Sequence, residues 1–297
     1  MPTNEGSIRL FRVAGIDVFL HWSWFVVALY QFQRASGYGS PVWKVAEYLA
    51  LFAIVTLHEF GHSLACRQVG GNAERIVLWP LGGVAYVDPP QRPGATLWSI
   101  AAGPLVNVAL LPVLFGLVFA ARAAGLADAA PDTFTLLRAV AFINLGLLVF
   151  NLLPVYPLDG GQILRSLLWF VLGRARSLTA ASVIGFVGVL ALLTIALRFG
   201  DMWLGILAAF VAMNCWQGFQ HSRALSRLAA IPRRPGFACP SCRSGPPLGP
   251  LWACGRCGAA FDTFETSARC PACGAEFAQT RCADCGRLSA IGEWVVL

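Results

Sequence analysis

Two histidines and a glutamate with metal-binding spacing lie inside an apolar stretch of the chain, in the segment His58-Glu59-Phe60-Gly61-His62. Histidines four positions apart lie on one face of a helix, about one turn from each other, where both imidazoles can bind one tetrahedral zinc ion. Glu59 between them can reach a water molecule on that metal and act as its general base. The spacing therefore indicates hydrolysis assisted by zinc.

The apolar surroundings of this motif favour a functional site. Ionisable side chains inside a membrane helix are costly unless they have partners. The alternative is a pair of core histidines whose polar atoms are satisfied by neighbouring backbone or serine. We rank that alternative well below a metal site.

A hydrolytic zinc site has three protein ligands and leaves the fourth position to water, so a third ligand is needed. The candidates are His21, His221, Glu47 and Asp159. Three of them are disfavoured by position: a surface setting for His221, a distance of three helical turns from His58 for Glu47, and an interfacial setting for His21.

Asp159 is the favoured third ligand. It follows Pro154 and Pro157, which unwind the helix, and it precedes Gly160 and Gly161, which permit close approach of backbone. The alternative is that Asp159 only caps the N-terminus of the helix that follows.

Eight of the ten cysteines form a second group of metal ligands near the C-terminus. They occur as four CxxC pairs: Cys239/Cys242, Cys254/Cys257, Cys270/Cys273 and Cys282/Cys285. Eight thiolates at this spacing match two tetrahedral four-cysteine zinc sites, and redox activity is the less favoured alternative. Sequential, interleaved and nested pairing all fit the loop lengths. Because closed all-thiolate sites are structural, we expect a small zinc-ribbon-like domain that folds on zinc and does no chemistry.

The composition places these groups in a membrane protein. Of 297 residues, 57% are hydrophobic and only 12% charged, far from the composition of a soluble domain. Six apolar stretches have about the length that crosses a bilayer: residues 18–32, 42–69, 97–121, 136–155, 178–197 and 202–219. The region 154–173 predicts a broken helix followed by a short half-inserted one. The fold class is therefore a polytopic α-helical membrane protein with about six transmembrane helices.

Charge indicates the orientation in the membrane. The net charge is +7, and the excess of arginine lies at the N-terminus, in the loops around 67–92 and 165–176, and in the tail 223–234. Positive residues favour the cytosolic side, and CxxC pairs suit a reducing compartment, so we expect both termini in the cytosol. We expect no removed signal peptide over residues 1–17, and no nucleic-acid partner, because the arginines are spread over several short loops.

Residues 73–88 predict a small β-hairpin near the membrane site. Two apolar runs flank the turn segment Pro80-Leu81-Gly82-Gly83. Strands at membrane depth are tolerated only where protein or a water-filled cavity covers their backbone. The hairpin therefore suggests such a cavity next to the zinc motif.

Two amides, Asn107 and Asn144, lie inside apolar stretches. Polar residues in membrane helices commonly form hydrogen bonds between helices. A catalytic part is an equally open interpretation for each.

Three motifs together resemble the site-2 protease family of intramembrane zinc metalloproteases. They are His58-Glu59-Phe60-Gly61-His62, Gly103-Pro104-Leu105-Val106-Asn107 and the segment 151–160, which reads Asn-Leu-Leu-Pro-Val-Tyr-Pro-Leu-Asp-Gly. The resemblance covers roughly residues 8–220 and extends to the segments 15–24 and 80–84.

The resemblance implies a role for each matching position. The implied zinc ligands are His58, His62 and Asp159. Glu59 would be the general base, and Asn151 a polar contact near the substrate carbonyl or oxyanion. Gly82 and Gly83 would belong to an edge strand that receives an unwound substrate.

We therefore expect an intramembrane zinc endopeptidase that cleaves transmembrane segments of membrane proteins, as in regulated intramembrane proteolysis, with the lipid bilayer as its surroundings. The expected organisation is a protease domain over 1–222, a linker over 223–236 and a zinc-ribbon-like domain over 237–297, with one catalytic and two structural zinc ions. The alternative is a proteolytically silent scaffold whose tail recruits a cytosolic partner. Glu59 favours the enzyme, because a scaffold needs no general base. A transporter is disfavoured, since the stretches show no inverted repeat.

Overall fold

A computed structural model of the chain describes residues 6–26, 28–29, 37–79, 82–200 and 202–295. It divides into two compact units. The first comprises Met1–Gly173 and Ser177–Phe219, and the second comprises Arg174–Arg176 and Gln220–Leu297.

The described long helices follow the predicted apolar stretches. In chain order the helices are α1 (Pro41–Gln68), α2 (Pro93–Ala123), the short α3 (Leu126–Ala129), α4 (Pro131–Asn151), α5 (Asp159–Phe199) and α6 (Met202–Ala230). Among the described residues, α1, α2, α4 and α5 are long and apolar enough to cross a membrane, by length and composition. The number of about six spans stays a prediction.

Proline and polar caps define where these helices begin. Pro41, Pro93 and Pro131 each occupy the first turn of a helix, where the missing N–H costs nothing and the fixed φ suits the helix. The Ser40 hydroxyl accepts a hydrogen bond from the N–H of Val42 at 3.4 Å and caps α1.

The first apolar stretch, residues 18–32, does not begin as a helix. Its first four residues belong to a β-strand, Ile16–His21, and the prediction of a helix there is wrong. Within this strand Ile16 and Val18 are fully buried while Asp17 is half-buried, which is the alternation of a strand with one face on the core. Residues 24–26 and 28–29 are helical, and the remainder of the stretch up to Phe32 lies outside the described residues.

A four-stranded sheet accompanies the helices in the first unit. Its strands are β1 (Ser7–Val13), β2 (Ile16–His21), β3 (Asn72–Trp79) and β4 (Gly82–Asp88), in that spatial order. The outer neighbours pair antiparallel, and β2 pairs parallel with β3. The predicted hairpin is thus confirmed as β3 and β4, and β4 lies at one edge of the sheet.

One face of the sheet packs on α1. The buried side chains Ile16, Val18, Ile76 and Leu78 form a core with Val55 of α1. This packing holds the sheet beside the segment of α1 that carries the zinc motif.

The break predicted from the prolines of region 154–173 lies between α4 and α5, where residues 152–158 are not helical. Helix α5 begins at Asp159 and is interrupted again at Gly173, whose backbone has φ 79° and ψ 172°. An L side chain rarely adopts that conformation, so glycine is needed at this interruption. The short helix predicted to follow the break corresponds to the segment of α5 before Gly173, and its half-inserted position stays a prediction.

The second unit contains two small hairpins and its own core. Strand β5 (Trp252–Ala253) pairs with β6 (Ala260–Phe261), and β7 (Thr280–Arg281) pairs with β8 (Leu288–Ser289). A short 3₁₀ helix, Ile291–Trp294, follows. The buried Phe264 and Trp294 pack edge to face at 4.9 Å between ring centroids.

Two ion pairs hold the first residues of the second unit, at positions that belong to the predicted linker 223–236. Arg233 pairs with Asp284 and Arg234 with Asp262, each at 2.7 Å. Burial raises the pKa of Asp262, but hydrogen bonds from the N–H of Gly249 and from Arg234 lower it by more. The pKa of Asp262 therefore lies below its usual value. Because α6 continues to Ala230, the predicted linker is helical over its first eight positions, 223–230.

Candidate metal centre

Two donor atoms from α1 and one from α5 meet inside the first unit. The Nε2 atoms of His58 and His62 lie 3.1 Å apart. Oδ2 of Asp159 lies 3.0 Å from the first and 3.5 Å from the second. Ligand atoms around a tetrahedral zinc ion are separated by about 3.4 Å, because zinc binds nitrogen and oxygen at about 2.0–2.2 Å. The three atoms therefore fit one zinc ion.

The other ring nitrogen of each histidine has an acceptor, which leaves Nε2 for a metal. Nδ1–H of His62 donates to the carbonyl oxygen of Ser99 at 2.9 Å, and Nδ1–H of His58 donates to Oδ1 of Asn107 at 2.6 Å. Hydrogen bonds of this kind are typical of metal-binding histidines, because they fix the tautomer and the ring orientation.

Helix α2 approaches the two histidines through glycine. A Cβ at Gly103 would lie 2.3 Å from Nε2 of His62 and 2.8 Å from Nε2 of His58. Gly61 of α1 in turn allows the backbone of α2 to come close, since a Cβ at Gly61 would lie 2.7 Å from the carbonyl oxygen of Ala102. The sequence motif contained both glycines, but only the packing of the helices reveals that the site needs them.

The structure places Asp159 at the first position of α5, with Leu158 as the capping residue and no side-chain cap. Its carboxylate faces the histidines, so the N-cap alternative does not describe this conformation. The two following glycines do permit close approach. A Cβ at Gly160 would lie 2.3 Å from the carbonyl oxygen of Leu152, and one at Gly161 would lie 2.4 Å from the nitrogen of Tyr156.

Glu59 lies beside the three donors but is bonded to the sheet. A carboxylate oxygen of Glu59 lies within 4.8 Å of a ring nitrogen of His58 and of His62. Oε2 accepts a hydrogen bond of 3.0 Å from the N–H of Ala85, in strand β4. Because that N–H points away from β3, the outer edge of β4 faces the metal centre. Gly82 and Gly83, whose predicted role is to receive substrate, begin the same strand.

The other candidates for the third ligand have different surroundings. The His21 ring stacks on Trp79 at 3.8 Å between centroids and bonds to the hydroxyl of Ser23. Glu47 accepts a hydrogen bond of 2.5 Å from the hydroxyl of Tyr38. Two further predicted residues lie in helices: His221 in α6, and Asn151 at the end of α4, where it is half-buried.

Asn107 and Asn144 form hydrogen bonds between helices. Nδ2 of Asn107 in α2 donates to Oδ1 of Asn144 in α4 at 2.8 Å. Nδ2 of Asn144 donates back to the carbonyl oxygen of Asn107 at 3.0 Å. Because Asn107 also contacts His58, this pair connects α4 to the candidate metal site.

The cysteines of the second unit gather in two groups of four. One contains Cys239, Cys242, Cys282 and Cys285, and the other contains Cys254, Cys257, Cys270 and Cys273. The close sulfur pairs across each group are 3.6–3.7 Å apart. A tetrahedral zinc ion with four thiolates separates its sulfurs by about 3.8 Å. Both groups fit zinc, and the arrangement is the nested one of the three that the sequence left open.

Each pair is presented by the same tight turn. The residue after the second cysteine donates its N–H to the carbonyl oxygen of the first, as in Gly258, Gly274 and Gly286. These glycines have φ between 69° and 76°, a region that favours glycine. Arg243 takes the equivalent position in the first pair, with φ 59°.

Comparison with known proteins agrees with this geometry. The sequence model of peptidase family M50 matches residues 46–135 and 122–195. A protein named zinc metalloprotease, from Methanocaldococcus jannaschii, is 34% identical over 227 residues, which are 76% of this chain and 63% of that protein. The chain thus spans less than two thirds of the length of this relative.

Two further similarities concern a sporulation protein and a solved structure. Stage IV sporulation protein FB from Bacillus subtilis is 36% identical over 119 residues, 39% of this chain and 38% of that protein. The structure of the site-2 protease from M. jannaschii superposes with a TM-score of 0.53 and 31% identity, covering 72% of this chain and 95% of that one.

Substitution of Gly103 tests the close approach of α2. Gly103→Ala should abolish zinc binding at the membrane site, because the new methyl group would overlap both imidazoles. The zinc content of the purified full-length protein, measured by atomic emission, should fall by one ion. The matched control is Gly116→Ala in the same helix, where a Cβ meets nothing within 4 Å, and it should keep the zinc content of the wild type. An unchanged zinc content in Gly103→Ala would contradict the assignment.

Paired cysteine substitutions test the nested arrangement. Cys239→Ser with Cys285→Ser should remove one zinc ion, because both residues belong to one group. Cys239→Ser with Cys254→Ser should remove two. Sequential pairing predicts the opposite result, and interleaved pairing predicts the loss of two ions from both double variants. Zinc counts on the two reduced proteins therefore separate all three arrangements.

Proposed function

We propose that this chain, which belongs to peptidase family M50, is a zinc endopeptidase that cleaves transmembrane segments of other membrane proteins within the bilayer. One observation carries the proposal: two imidazole nitrogens and one carboxylate oxygen converge at zinc-binding distances in apolar helices, beside a glutamate that is not needed as a ligand. Three protein donors leave one tetrahedral position for water or substrate, as in hydrolytic zinc sites.

The proposed chemistry divides the work between the metal and Glu59. Zinc, when bound by His58, His62 and Asp159, would polarise a peptide carbonyl and acidify a water molecule. Glu59 would accept the proton of that water at its carboxylate and deliver it to the leaving amine. Its place one residue after His58 and within 4.8 Å of the imidazole nitrogens supports this role.

Strand β4 is the proposed substrate platform. A transmembrane helix must unwind before its peptide bonds are accessible, and an edge strand can satisfy the exposed backbone by pairing with it. The contact between Ala85 and Glu59 supports this proposal, because it places the outer edge of β4 next to the base. Gly82 and Gly83 would let a substrate backbone approach closely, and Asn151 would contact the substrate carbonyl.

We further propose three zinc ions in the chain, one catalytic and two structural. The four-cysteine groups have no open position for substrate, which supports a structural role. The expected organisation stays a protease domain over 1–222, a linker over 223–236 and a metal-folded domain over 237–297. The arginine distribution supports a multi-pass protein with both termini in the cytosol.

Substitution of the base separates proteolysis from metal binding. Glu59→Gln should lower the rate of peptide hydrolysis by about 10²–10⁴, because the amide cannot take the proton, while the zinc content stays at three. A proteomic comparison of membranes with wild type and Glu59→Gln should show a single-span protein that accumulates uncleaved. Glu74→Gln, at an exposed position in β3, is the control and should behave as wild type. Undiminished hydrolysis in Glu59→Gln would refute the mechanism and favour the scaffold.

Substitution of the third ligand tests whether Asp159 binds zinc. Asp159→Asn should lower the zinc affinity of the membrane site and the activity together, because a neutral amide is a poor zinc ligand. A capping role predicts near-normal activity, since asparagine caps helices as well as aspartate. Asp132→Asn, in the first turn of α4, is the matched control and should leave both unchanged. Near-normal turnover in Asp159→Asn would reject this ligand.

A further inference from the structure

We propose that Asn144 is a positioning residue that fixes the tautomer of His58 by orienting the amide of Asn107. The inference rests on the proposed function, because it concerns the zinc ion that His58 would bind. Asn144 does not approach the ring itself; it acts through a hydrogen-bonded chain across three helices, α4, α2 and α1.

The hydrogen bonds from Asn144 through Asn107 to His58 are continuous, and water does not reach the two amides. Oδ1 of Asn107 accepts from Nδ1–H of His58 at 2.6 Å, and Nδ2 of Asn107 donates to Oδ1 of Asn144 at 2.8 Å. Nδ2 of Asn144 donates to the carbonyl oxygen of Asn107 at 3.0 Å. Both asparagines are 0% exposed. Each amide therefore has a defined acceptor end and a defined donor end, with no solvent to replace a lost partner.

The orientation of the Asn107 amide decides which nitrogen of His58 carries the proton. An amide has an acceptor at one end and a donor at the other, and the two ends have nearly the same shape. If the amide were reversed, its NH₂ group would face Nδ1, which would have to be unprotonated to accept. The proton of the neutral ring would then lie on Nε2. That nitrogen faces His62 and Asp159, and a protonated nitrogen cannot bind zinc.

Asn144 opposes this reversal. A reversed Asn107 would present its oxygen to Oδ1 of Asn144, and two acceptors would face each other in a buried site. Asn144 cannot turn to compensate without losing its own bond to the carbonyl oxygen of Asn107. This carbonyl belongs to the backbone of α2, and its direction is fixed by the helix. The orientation of the Asn144 amide is therefore set by a backbone group.

The second histidine shows why only His58 needs such a chain. His62 donates to the carbonyl oxygen of Ser99, which is an acceptor in every orientation. Its tautomer is fixed by the backbone alone. His58 instead relies on a side-chain amide that has two possible orientations, and the second asparagine selects between them.

The test measures zinc affinity in the full-length protein. Asn144→Leu removes the selecting group and keeps a similar volume. The membrane-site zinc should then bind about tenfold more weakly, the low end of the effect of removing a partner of a metal ligand, in a competition with a chelator followed by zinc counting. The matched control is Asn214→Leu. Asn214 is a half-buried amide in α6 bonded to the carbonyl oxygen of Phe210, and its replacement should leave the affinity unchanged.

A rescue variant separates positioning from packing. Asn107→Asp places acceptors at both ends of the side chain, so His58 keeps its proton on Nδ1 in either orientation. The double variant Asn107→Asp/Asn144→Leu should therefore regain the zinc affinity of the wild type to within about twofold, because leucine presents no acceptor against the second carboxylate oxygen. If Asn144 serves only the packing of α2 and α4, the double variant should bind zinc as weakly as Asn144→Leu, and both should show a lower melting temperature of the metal-free protein. That result would overturn the inference, as would wild-type affinity in Asn144→Leu alone.

The zinc count of the wild type distinguishes failure of this inference from failure of the proposed function. Two ions in the wild type, both in the cysteine groups, would mean that the membrane site binds no zinc, and both proposals would fall. Three ions in the wild type with no effect of Asn144→Leu would reject the positioning role alone.

Discussion

The first unit is built around the need to satisfy two imidazoles and two carboxylates inside apolar helices, because each unpaired polar group there costs free energy. Each of the neighbouring elements supplies a partner. Helix α2 supplies acceptors for the two Nδ1 atoms, α5 brings a carboxylate to the two Nε2 atoms, and β4 donates an N–H to Glu59. The glycines at 61 and 103 follow from this constraint, since the donors of α1 and the acceptors of α2 meet only if the two helices are in close contact.

The sheet solves a related problem for the backbone. Strands β2 and β3 bury one face on α1, where Ile16, Val18, Ile76 and Leu78 are fully buried. The edge strand β4 is left beside the metal centre, where its N–H at Ala85 already bonds to a carboxylate instead of to another strand. An open sheet edge is unfavourable in hydrocarbon, so pairing with an extended peptide, the role proposed for β4, would also satisfy the free backbone groups of that edge.

Local signals in the sequence predicted which side chains lie together at the candidate metal centre better than they predicted the secondary structure of the N-terminal region. The spacing of His58 and His62, the prolines before Asp159 and the two apolar runs that flank segment 80–83 are short-range patterns with direct structural meaning. The resemblance to the site-2 proteases linked these patterns to one site. The strand over 16–21 was missed because a short apolar run fits a buried strand and a helix equally well. The need for glycine at position 103 was missed because it depends on a helix about forty residues away.

The nested cysteine pairing could not be predicted because three arrangements suit the same loops. The core around Phe264 and Trp294 contacts cysteines of one group, which is information that spacing does not contain.

The two kinds of metal site in this chain differ in what their donors leave open. Four thiolates close the coordination of each cysteine group, so a metal there can only hold chain segments together. The membrane site has three donors on elements that are distant in sequence, and its geometry depends on side chains outside the ligand set, such as Asn107. A closed site tolerates small displacements of neighbouring side chains, because four thiolates of one kind define the tetrahedron. An open site does not, because the direction of its free position is set by only three ligands. The buried hydrogen bonds around the two histidines are therefore what a site with one free position, as proposed for this chain, would require.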